Sequence, residues 1–324
     1  MKIRVLTAAD VRSALPMATA IDAVAMAYGQ LSAGKATMPL RSRFHTDKGV
    51  TLLMPAHLHE SGDFAVKIVS VYGDNLQLGL PTVAATVLAL DPATGMPLAL
   101  MEGDSLTALR TGAAGGVAAR YLARVDAATV ALFGAGVQAR AQLEAAMAVR
   151  SIARVMIVDP FETAANRLAE EISGWPDAPV VSLADSPQAA VGQADIVLAA
   201  TTSKTPLFDG NDLRPGTHVT GVGSFTAEMQ EIDATTVGRA RVVVDQRDAA
   251  LAEAGDIILA KAEIDAEIDA EIGEIVNGAK PGRENDEEIT FFKSVGLAVQ
   301  DAVTAAAVLR AAEEKGLGTV IEMS

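Results

Sequence analysis

The chain has 324 residues, a length that is enough for one large or two ordinary domains. Half of the residues are apolar and only 4% are aromatic. Its 26 basic and 41 acidic residues give a net charge of −15, which excludes a broad surface for nucleic acid. Because cysteine is absent, disulfides, thiolate catalysis and thiolate metal sites are excluded as well.

Two segments bear on export and membrane insertion. Charges interrupt every short apolar run of residues 1–17, so no secretory signal is predicted. Residues 75–90 form the longest uncharged stretch, but they contain Asn, Gln and Pro and are too short to span a bilayer. We therefore expect a cytoplasmic protein.

The sequence of the first third of the chain predicts a short strand, a helix, a set of strands and a second helix. Residues 1–35 indicate a short strand and then an alanine-rich helix that ends near Gly34. β-Branched runs separated by Gly, Asn and Pro come next, and a helix of small residues is predicted over 105–124. The strands are expected at 49–56, 63–73, 81–91 and 94–100.

From Ala128 onward, strand and helix patterns alternate. Strands that alternate with helices predict a doubly wound parallel sheet of the α/β class. The strands are expected at 129–134, 154–159, 180–181, 194–201, 216–223 and 240–245, and the first helices at 137–149 and 163–172.

Two further helices are predicted near the C-terminus. In segment 262–275 isoleucine recurs at every fourth position among acidic residues, which predicts one amphipathic helix with solvated carboxylates rather than a metal site. The last helix is predicted over 294–315. The four histidines show no HExxH spacing, and although His57-x-His59 could bind a metal, a pair on a surface loop is the favoured interpretation, so no metal site is predicted.

The glycine motif Gly134-x-Gly136-x-x-Ala139 follows a predicted strand and opens a predicted helix, the context that a dinucleotide fingerprint requires. Gly134 permits the tight turn, Gly136 lets the backbone approach a pyrophosphate, and Ala139 allows close packing of helix on strand. The helix N-terminus then offers N–H groups to the phosphates. The alternative is a packing turn in a domain that binds no nucleotide.

A carboxylate at the end of the second strand supports the dinucleotide interpretation. Asp159 lies 25 residues after Gly134, where a carboxylate accepts hydrogen bonds from the adenosine ribose. It would repel a 2′-phosphate, so NAD(H) is favoured over NADP(H). At the ends of later strands, Thr201 and segment 222–224 are expected beside the ribose and nicotinamide, unless they only form turns.

Three basic residues outside this region are candidates for holding an anionic substrate. Lys67 sits in an apolar strand, where lysine is costly unless paired or functional, so it lies at a sheet edge or lines a pocket. Arg110 has small neighbours that leave room for a ligand, and Arg41 is followed by Arg43. Each alone is typical of a surface salt bridge. Together they can form the basic pocket that a carboxylate needs, with Lys67 as an acid.

Beyond these motifs, the chain resembles the ornithine cyclodeaminase/μ-crystallin family over nearly its full length. The matching stretches include "MPLR", "LLMPAH", "VKIVSVYGDN", "GLPTV", "LTALRTGAAGG", "FGAGVQA", "ADIVLAATTS", "PGTHVTGVGS" and "EEITFFKSVGLAVQD". The resemblance implies a Rossmann domain and a second, α+β domain for substrate binding and dimerisation, built from the N-terminal segment and the C-terminal helix. The implied domains are 1–116, 117–296 and, as the returning helix, 297–324.

The resemblance also implies roles for individual residues. Arg41, Lys67 and Arg110 match residues that hold the substrate carboxylate, and Lys67 also matches a lysine with a proton-transfer role. The expected contacts to the dinucleotide, glycine loop included, are Arg110, Thr111, Gly134, Gly136, Val137, Gln138, Asp159, Thr201, Val222, Gly223, Ser224 and Ser294.

Two positions depart from the ornithine cyclodeaminase pattern. Leu52 aligns with a Glu of the cyclodeaminases, and Phe225 aligns with an Asp that follows their "VG" motif. That Asp suits the leaving and attacking amines of a cyclodeamination, and alanine dehydrogenases also carry it. Ketimine reductases and μ-crystallin do not. Phe225 is therefore expected to bind substrate by packing its ring against the ligand's methylenes.

The resemblance and these departures favour an NAD(P)-dependent reductase of a small cyclic 2-imino acid, such as Δ1-pyrroline-2-carboxylate or Δ1-piperideine-2-carboxylate. Lys67 would keep the imine nitrogen protonated. Alanine dehydrogenase, ornithine cyclodeaminase and a non-catalytic, nucleotide-binding protein like μ-crystallin are the alternatives. NAD(H) is the expected cofactor, with NADP(H) second. The expected partners are a small carboxylate substrate and a second copy of the chain, with no nucleic acid or membrane.

Overall fold

The computed structural model describes residues 1–323 and divides by its internal contacts into two compact units. The first unit comprises Met1–Arg110 together with the chain from Leu297 onward, and the second comprises Thr111–Gly296. The domain limits expected from the sequence, at 116 and 296, stay a prediction.

The first unit begins with a strand and two helices and continues as a series of strands. Thr7 caps the first helix, because its side chain accepts the Asp10 N–H while the Asp10 carboxylate accepts that of Thr7. The elements are β1 (Lys2–Leu6), α1 (Ala8–Ala14), α2 (Met17–Ser32), β2 (Ala36–Thr37), β3 (Ser42–Thr46), β4 (Gly49–Leu58), β5 (Phe64–Val71), a 3₁₀ helix (Gly73–Leu78), β6 (Val83–Leu90), β7 (Pro97–Glu102) and α3 (Gly103–Leu122), within which the division between the units falls.

The second unit alternates strands with helices. Its elements are β8 (Thr129–Phe133), α4 (Val137–Val149), β9 (Arg154–Val158), α5 (Glu162–Ser173), β10 (Val180–Leu183), α6 (Pro187–Val191), β11 (Ile196–Ala199), a 3₁₀ helix (Gly210–Asp212), β12 (His218–Gly221), α7 (Ala234–Arg239), β13 (Arg241–Val244), α8 (Arg247–Glu253), α9 (Gly255–Ile264), β14 (Ala270–Glu271), α10 (Ile272–Val276) and β15 (Thr290–Lys293). The chain then completes the first unit with α11 (Ala298–Lys315) and β16 (Thr319–Glu322).

A mixed sheet organises the first unit. Its strand order is β16-β1-β7-β6-β5-β4-β2, with β3 paired to β4, and only the β1–β7 pair is parallel among these neighbours. Helix α11 packs against β4, β5 and β6 and also against α2. One face of the sheet is therefore covered by the helix that arrives from the far end of the chain.

The sheet of the second unit is entirely parallel, with the order β10-β9-β8-β11-β12-β15-β13-β14. From β8 the chain runs to β9 and β10 on one side, and it then crosses to β11 and β12 on the other. This reversal creates a switch point between β8 and β11, where ligands bind at the carboxyl ends of the strands. The predicted doubly wound α/β fold is confirmed.

The prediction of one amphipathic helix over 262–275 was wrong. Helix α9 ends at Ile264, and Asp265 adopts a left-handed conformation with φ of 52°. The Asp269 carboxylate then accepts the Val242 N–H at 2.7 Å, and the chain pairs with β13 as strand β14. The isoleucine spacing fits a helix, but the free edge of β13 offers the backbone a parallel partner instead.

The last helix also differs from its prediction over 294–315. It starts at Ala298, because Thr290–Lys293 form the buried strand β15 between β12 and β13. Gly296, with φ of 79°, turns the chain between them. Strand β16, which follows α11, was not predicted. Among the described residues, no helix combines the length and apolar character needed to cross a bilayer.

Candidate active site

Lys67 lies in the middle of the first unit's sheet, not at its edge. In β5 it faces Met54 of β4 on one side and Val87 of β6 on the other. Its side chain is on the covered face of the sheet, and only 2% of the residue is exposed. Of the two positions that the sequence left open for Lys67, the edge of a sheet is therefore excluded.

A single carboxylate on α11 pairs with both Lys67 and Arg110. The Lys67 Nζ lies 3.0 Å from Oδ1 and 2.8 Å from Oδ2 of Asp301. The Arg110 Nε donates to the same Oδ1 at 3.0 Å. Asp301 is 1% exposed, so all three charges meet away from water. We call Lys67, Arg110 and Asp301 the buried cationic cluster, because two positive charges share one negative charge.

Two polar residues hold the Arg110 guanidinium in place. Its Nη1 donates to Gln300 Oε1 at 2.9 Å, and this oxygen also accepts the Leu297 N–H at 2.8 Å. The Gln300 amide in turn donates to the hydroxyl of Tyr28 on α2. The orientation of Arg110 is thus set by α11 and α2 before any ligand binds, as efficient carboxylate recognition requires.

Burial, and next the positive charge of Arg110, lower the pKa of Lys67 to about 8, although Asp301 acts in the opposite direction. Arg41, which follows β2 and is partly exposed, lowers this pKa further. The three basic residues predicted to hold a carboxylate are thus electrostatically coupled within one unit. An anion that binds there is attracted by Arg41 and by the excess positive charge of the buried cationic cluster.

Asp301, Gln300 and Tyr28 were not among the site residues predicted from the sequence. A signal for Asp301 was present, since it is a lone carboxylate inside the apolar stretch "GLAVQDAVTAAAVL". A carboxylate is rarely buried in such a helix without a cationic partner. The identity of that partner was hidden, because Lys67 lies 234 residues away along the chain.

The two residues that depart from the cyclodeaminase pattern fall in different units. Leu52 on β4 pairs with Val69 on β5, so it projects from the same face as Lys67. Phe225 follows β12 in the second unit, where 45% of it is exposed. The role of Phe225 in substrate binding stays a prediction.

The glycine loop of the second unit has the geometry of a phosphate-binding turn. Gly134 has φ of 100°, and a Cβ there would lie 2.7 Å from the Ala200 carbonyl oxygen, so only glycine fits. A Cβ on Gly136 would have no neighbour within 4 Å, which leaves open space in front of the loop. Val137 and Gln138 begin α4, so the free N–H groups of its first turn follow directly on this loop.

Other predicted dinucleotide contacts occupy the same edge of this sheet. Asp159 follows β9, and its Oδ1 accepts the Phe161 N–H at 2.8 Å. Thr201 follows β11, and Val222, Gly223 and Ser224 follow β12. The Ser224 and Ser294 hydroxyls point inward instead, donating to the Met229 carbonyl oxygen and the Asp245 carboxylate respectively, both at 2.8 Å.

Two buried side-chain oxygens support a fit to a dinucleotide. Thr111 Oγ1 and Gln138 Oε1 are buried without a hydrogen-bond partner among the described residues. Buried polar atoms are normally paired, so such atoms mark places where a ligand or water completes the bonding. Together with the open glycine loop and the Asp159 carboxylate, they suit the phosphates and riboses of NAD(H). No cluster of three or more metal-ligating side chains occurs within residues 1–323.

Comparison with known proteins extends these observations. The sequence profile of the Ornithine cyclodeaminase/mu-crystallin family matches residues 1–316. The chain is 40% identical to a Delta(1)-pyrroline-2-carboxylate reductase of Bacillus cereus, over 98% of this chain and 99% of that protein. It is 37% identical to an alanine dehydrogenase of Archaeoglobus fulgidus, over 99% of both.

A solved structure shares the fold across the whole chain. It is the Thermococcus litoralis Delta(1)-pyrroline-2-carboxylate reductase in complex with NADH and L-proline, with a TM-score of 0.93 and 42% identity. The alignment covers 98% of this chain and 99% of that chain. The family profile and the identities lead to one conclusion: the chain belongs to the ornithine cyclodeaminase/mu-crystallin family.

Proposed function

We propose that the protein is an NAD(H)-dependent reductase that converts a cyclic 2-imino acid to the L-amino acid, with Δ1-pyrroline-2-carboxylate as substrate and L-proline as product. The observation that carries this proposal is the buried cationic cluster, in which Lys67 and Arg110 share Asp301. The relatives from Bacillus cereus and Thermococcus litoralis support the choice of substrate.

The substrate carboxylate is held by the basic residues of the first unit. Arg110 presents a planar guanidinium, already oriented by Gln300, which suits two parallel hydrogen bonds to a carboxylate. Arg41 and Lys67 add positive charge around it. Since Asp301 neutralises only one of these three charges, a bound carboxylate restores the balance instead of adding a repulsion.

Lys67 supplies the proton of the reaction. With a pKa of about 8, its ammonium group is protonated near neutral pH yet gives up its proton far more readily than an ordinary lysine. The nicotinamide supplies a hydride to the C=N carbon when NADH is bound. The Lys67 Nζ keeps the imine nitrogen protonated, so the nitrogen ends as the neutral or protonated amine of the product.

The absence of a carboxylate at two positions favours a cyclic imine over free ornithine. Leu52 shares the face of Lys67, and an apolar side chain there packs against ring methylenes. Phe225 offers an aromatic ring at the other position. A δ-ammonium group that packs against either side chain loses water and gains no carboxylate partner in exchange.

Asp159 makes NAD(H) the preferred cofactor. A carboxylate at the end of β9 accepts hydrogen bonds from the ribose hydroxyls and repels a 2′-phosphate. We also propose that the enzyme works in the cytoplasm, where it draws on the NADH pool.

The test is a panel of substrates with purified protein. NADH and NADPH oxidation is followed with Δ1-pyrroline-2-carboxylate, with Δ1-piperideine-2-carboxylate, and with pyruvate plus ammonia, while L-ornithine is offered with NAD⁺. We expect the highest kcat/KM with a cyclic imine and NADH, and no proline from ornithine. Robust formation of proline from ornithine would contradict the proposal.

Alanine dehydrogenase activity is the second candidate, because the Archaeoglobus fulgidus relative is 37% identical over 99% of the chain. The imine of pyruvate carries the same carboxylate and C=N carbon, so the buried cationic cluster serves it equally well. The two candidates differ in the ring, which only the cyclic substrate offers to the apolar side chain of Leu52. A higher kcat/KM with pyruvate and ammonia than with either cyclic imine would favour this second candidate.

We also propose that the protein is a homodimer formed through the open face of the first sheet. Ile68, Leu98 and Leu100 project from the face opposite Lys67 and are each at least 37% exposed. Val66, Leu88 and Leu100 form one continuous row across this face. An apolar sheet face of this kind is costly in water, and a second copy offers a matching surface.

A further inference from the structure

We propose that Glu231 is a positioning residue that fixes the two loops on the nicotinamide side of the dinucleotide site. The inference rests on the proposed NAD(H) binding, but it concerns a residue that lies outside the glycine loop. Glu231 is fully buried in the second unit, in the loop between β12 and α7.

The Glu231 carboxylate joins the loops that follow two neighbouring strands. Its Oε1 accepts the N–H of Thr201, which follows β11, at 2.6 Å. Its Oε2 accepts the N–H groups of Gly223 and Ser224, which follow β12, at 2.6 and 3.2 Å. One side chain therefore fixes the separation and orientation of both loops.

A second carboxylate holds Glu231 itself. The Asp256 Oδ1 accepts the N–H groups of Glu231 and Ile232 at 2.7 and 3.0 Å. The Asp256 Oδ2 lies 2.9 Å from the Nζ of Lys293, and both side chains are completely buried. Lys293 belongs to β15, the strand next to β12, so the support comes from the rigid centre of the sheet.

The arrangement requires an ionised carboxylate and tolerates no bulk. The N–H groups of Thr201, Gly223 and Ser224 all donate to Glu231, so a proton on either carboxylate oxygen would compete with one of them. Gly223 is packed so closely that a Cβ would lie 2.1 Å from the Thr201 carbonyl oxygen and 2.5 Å from Glu231 Oε1. Only glycine allows the two loops to approach the same carboxylate.

Strand order indicates which half of the dinucleotide depends on Glu231. The glycine loop follows β8, and Asp159 follows the neighbouring strand β9. The adenosine and pyrophosphate are therefore assigned to the β8–β9 side of the switch point. The loops after β11 and β12 lie on the other side of β8. The nicotinamide and its ribose are therefore the parts of NAD(H) that meet the loops joined by Glu231.

The test separates the two halves of the cofactor by comparing NADH with ADP, which lacks the nicotinamide and its ribose. Dissociation constants are measured by calorimetry on full-length Glu231→Gln protein without any imino acid. We expect NADH to bind roughly tenfold to a hundredfold more weakly, because an amide NH₂ must face an N–H donor. ADP should bind as it does to the wild type.

Glu228→Gln is the matched control, since Glu228 is an exposed residue of the same loop. It should bind NADH and ADP like the wild type. If Glu231→Gln does not fold, Glu231→Asp provides the same comparison, because it keeps the charge but is one methylene too short to reach both loops.

Two results would overturn the proposal: unchanged NADH binding in a folded Glu231 variant, or equal weakening of NADH and ADP, which is the sign of general loosening. A wild-type protein that binds neither ligand would instead refute the proposed function. A thermal unfolding scan confirms that each variant is folded before the comparison is made.

Discussion

At the scale of single residues, the pairing of Lys67 with Asp301 influences the pKa of the lysine that we propose as the acid. An ammonium group buried in an apolar sheet is costly, and the carboxylate 2.8 Å away offsets part of that cost. Arg110 competes for the same carboxylate, so Lys67 is only partly compensated. Its proton is therefore held loosely, which suits an acid that must act near neutral pH.

The lowered pKa predicts a pH profile. Reduction needs protonated Lys67, so kcat/KM should be level below pH 8 and fall about tenfold per pH unit above it. Steady-state rates of NADH oxidation with Δ1-pyrroline-2-carboxylate across this range measure it. A level profile up to pH 10 would show that Lys67 is not the acid.

Lys67→Met should lower kcat by roughly a hundredfold or more, with NADH binding retained.

Asp301→Asn should move that profile in a defined direction. The negative charge of Asp301 raises the pKa of Lys67, so its removal should lower this pKa and shift the falling limb to lower pH. Asp47→Asn, at an exposed turn of the same unit, is the control and should leave the limb in place. A limb that stays or moves to higher pH in Asp301→Asn would contradict the assignment.

Single residues also show what the sequence can and cannot reveal. Lys67 and Arg110 stood out because a charge in an apolar or small-residue segment calls for a reason. Glu231 did not stand out, and the lone carboxylate of Asp301 in an apolar helix gave a signal that did not identify its partner. Their partners are brought together only by the sheet and by α11, so no local pattern records the pairing.

At the scale of elements, periodicity predicted strands β8 to β13 of the parallel sheet but neither β14 nor β15. Helix α4 has the predicted bounds, 137–149, because glycines and a buried strand punctuate the sequence before it. In segment 262–275, prediction from hydrophobic periodicity failed. Its isoleucines satisfy a helical period, but the edge of β13 recruits residues 270–271 as a strand. Periodicity describes one element and contains no information about an unpaired neighbour.

The end of β9 carries a prediction about the cofactor. The Asp159 carboxylate accepts the Phe161 N–H, which an asparagine side-chain oxygen can also do. Asp159→Asn should therefore keep the turn but remove the charge, narrowing the preference for NADH over NADPH in kcat/KM. Asp159→Ala should narrow it too, with weaker binding of both cofactors. A wild-type enzyme that already prefers NADPH would show that Asp159 does not select the cofactor.

At the scale of the whole molecule, the apolar open face of the first sheet predicts a dimer. Leu100→Lys should give a monomer in light scattering after size exclusion, because a charge in the centre of the interface is costly to bury. Leu183→Lys is the control, since Leu183 of the second sheet has the same 37% exposure. A Leu100→Lys protein that remains dimeric would place the interface elsewhere.

The most direct test of the account follows one hydrogen atom. NADH deuterated at both hydrogens of C4 is mixed with enzyme and Δ1-pyrroline-2-carboxylate, and the product is examined by mass spectrometry and NMR. The account predicts L-proline with one deuterium at C2 for each NADH consumed, because the hydride adds to the C=N carbon. Proline without deuterium at C2, or no consumption of NADH with this substrate, would contradict it.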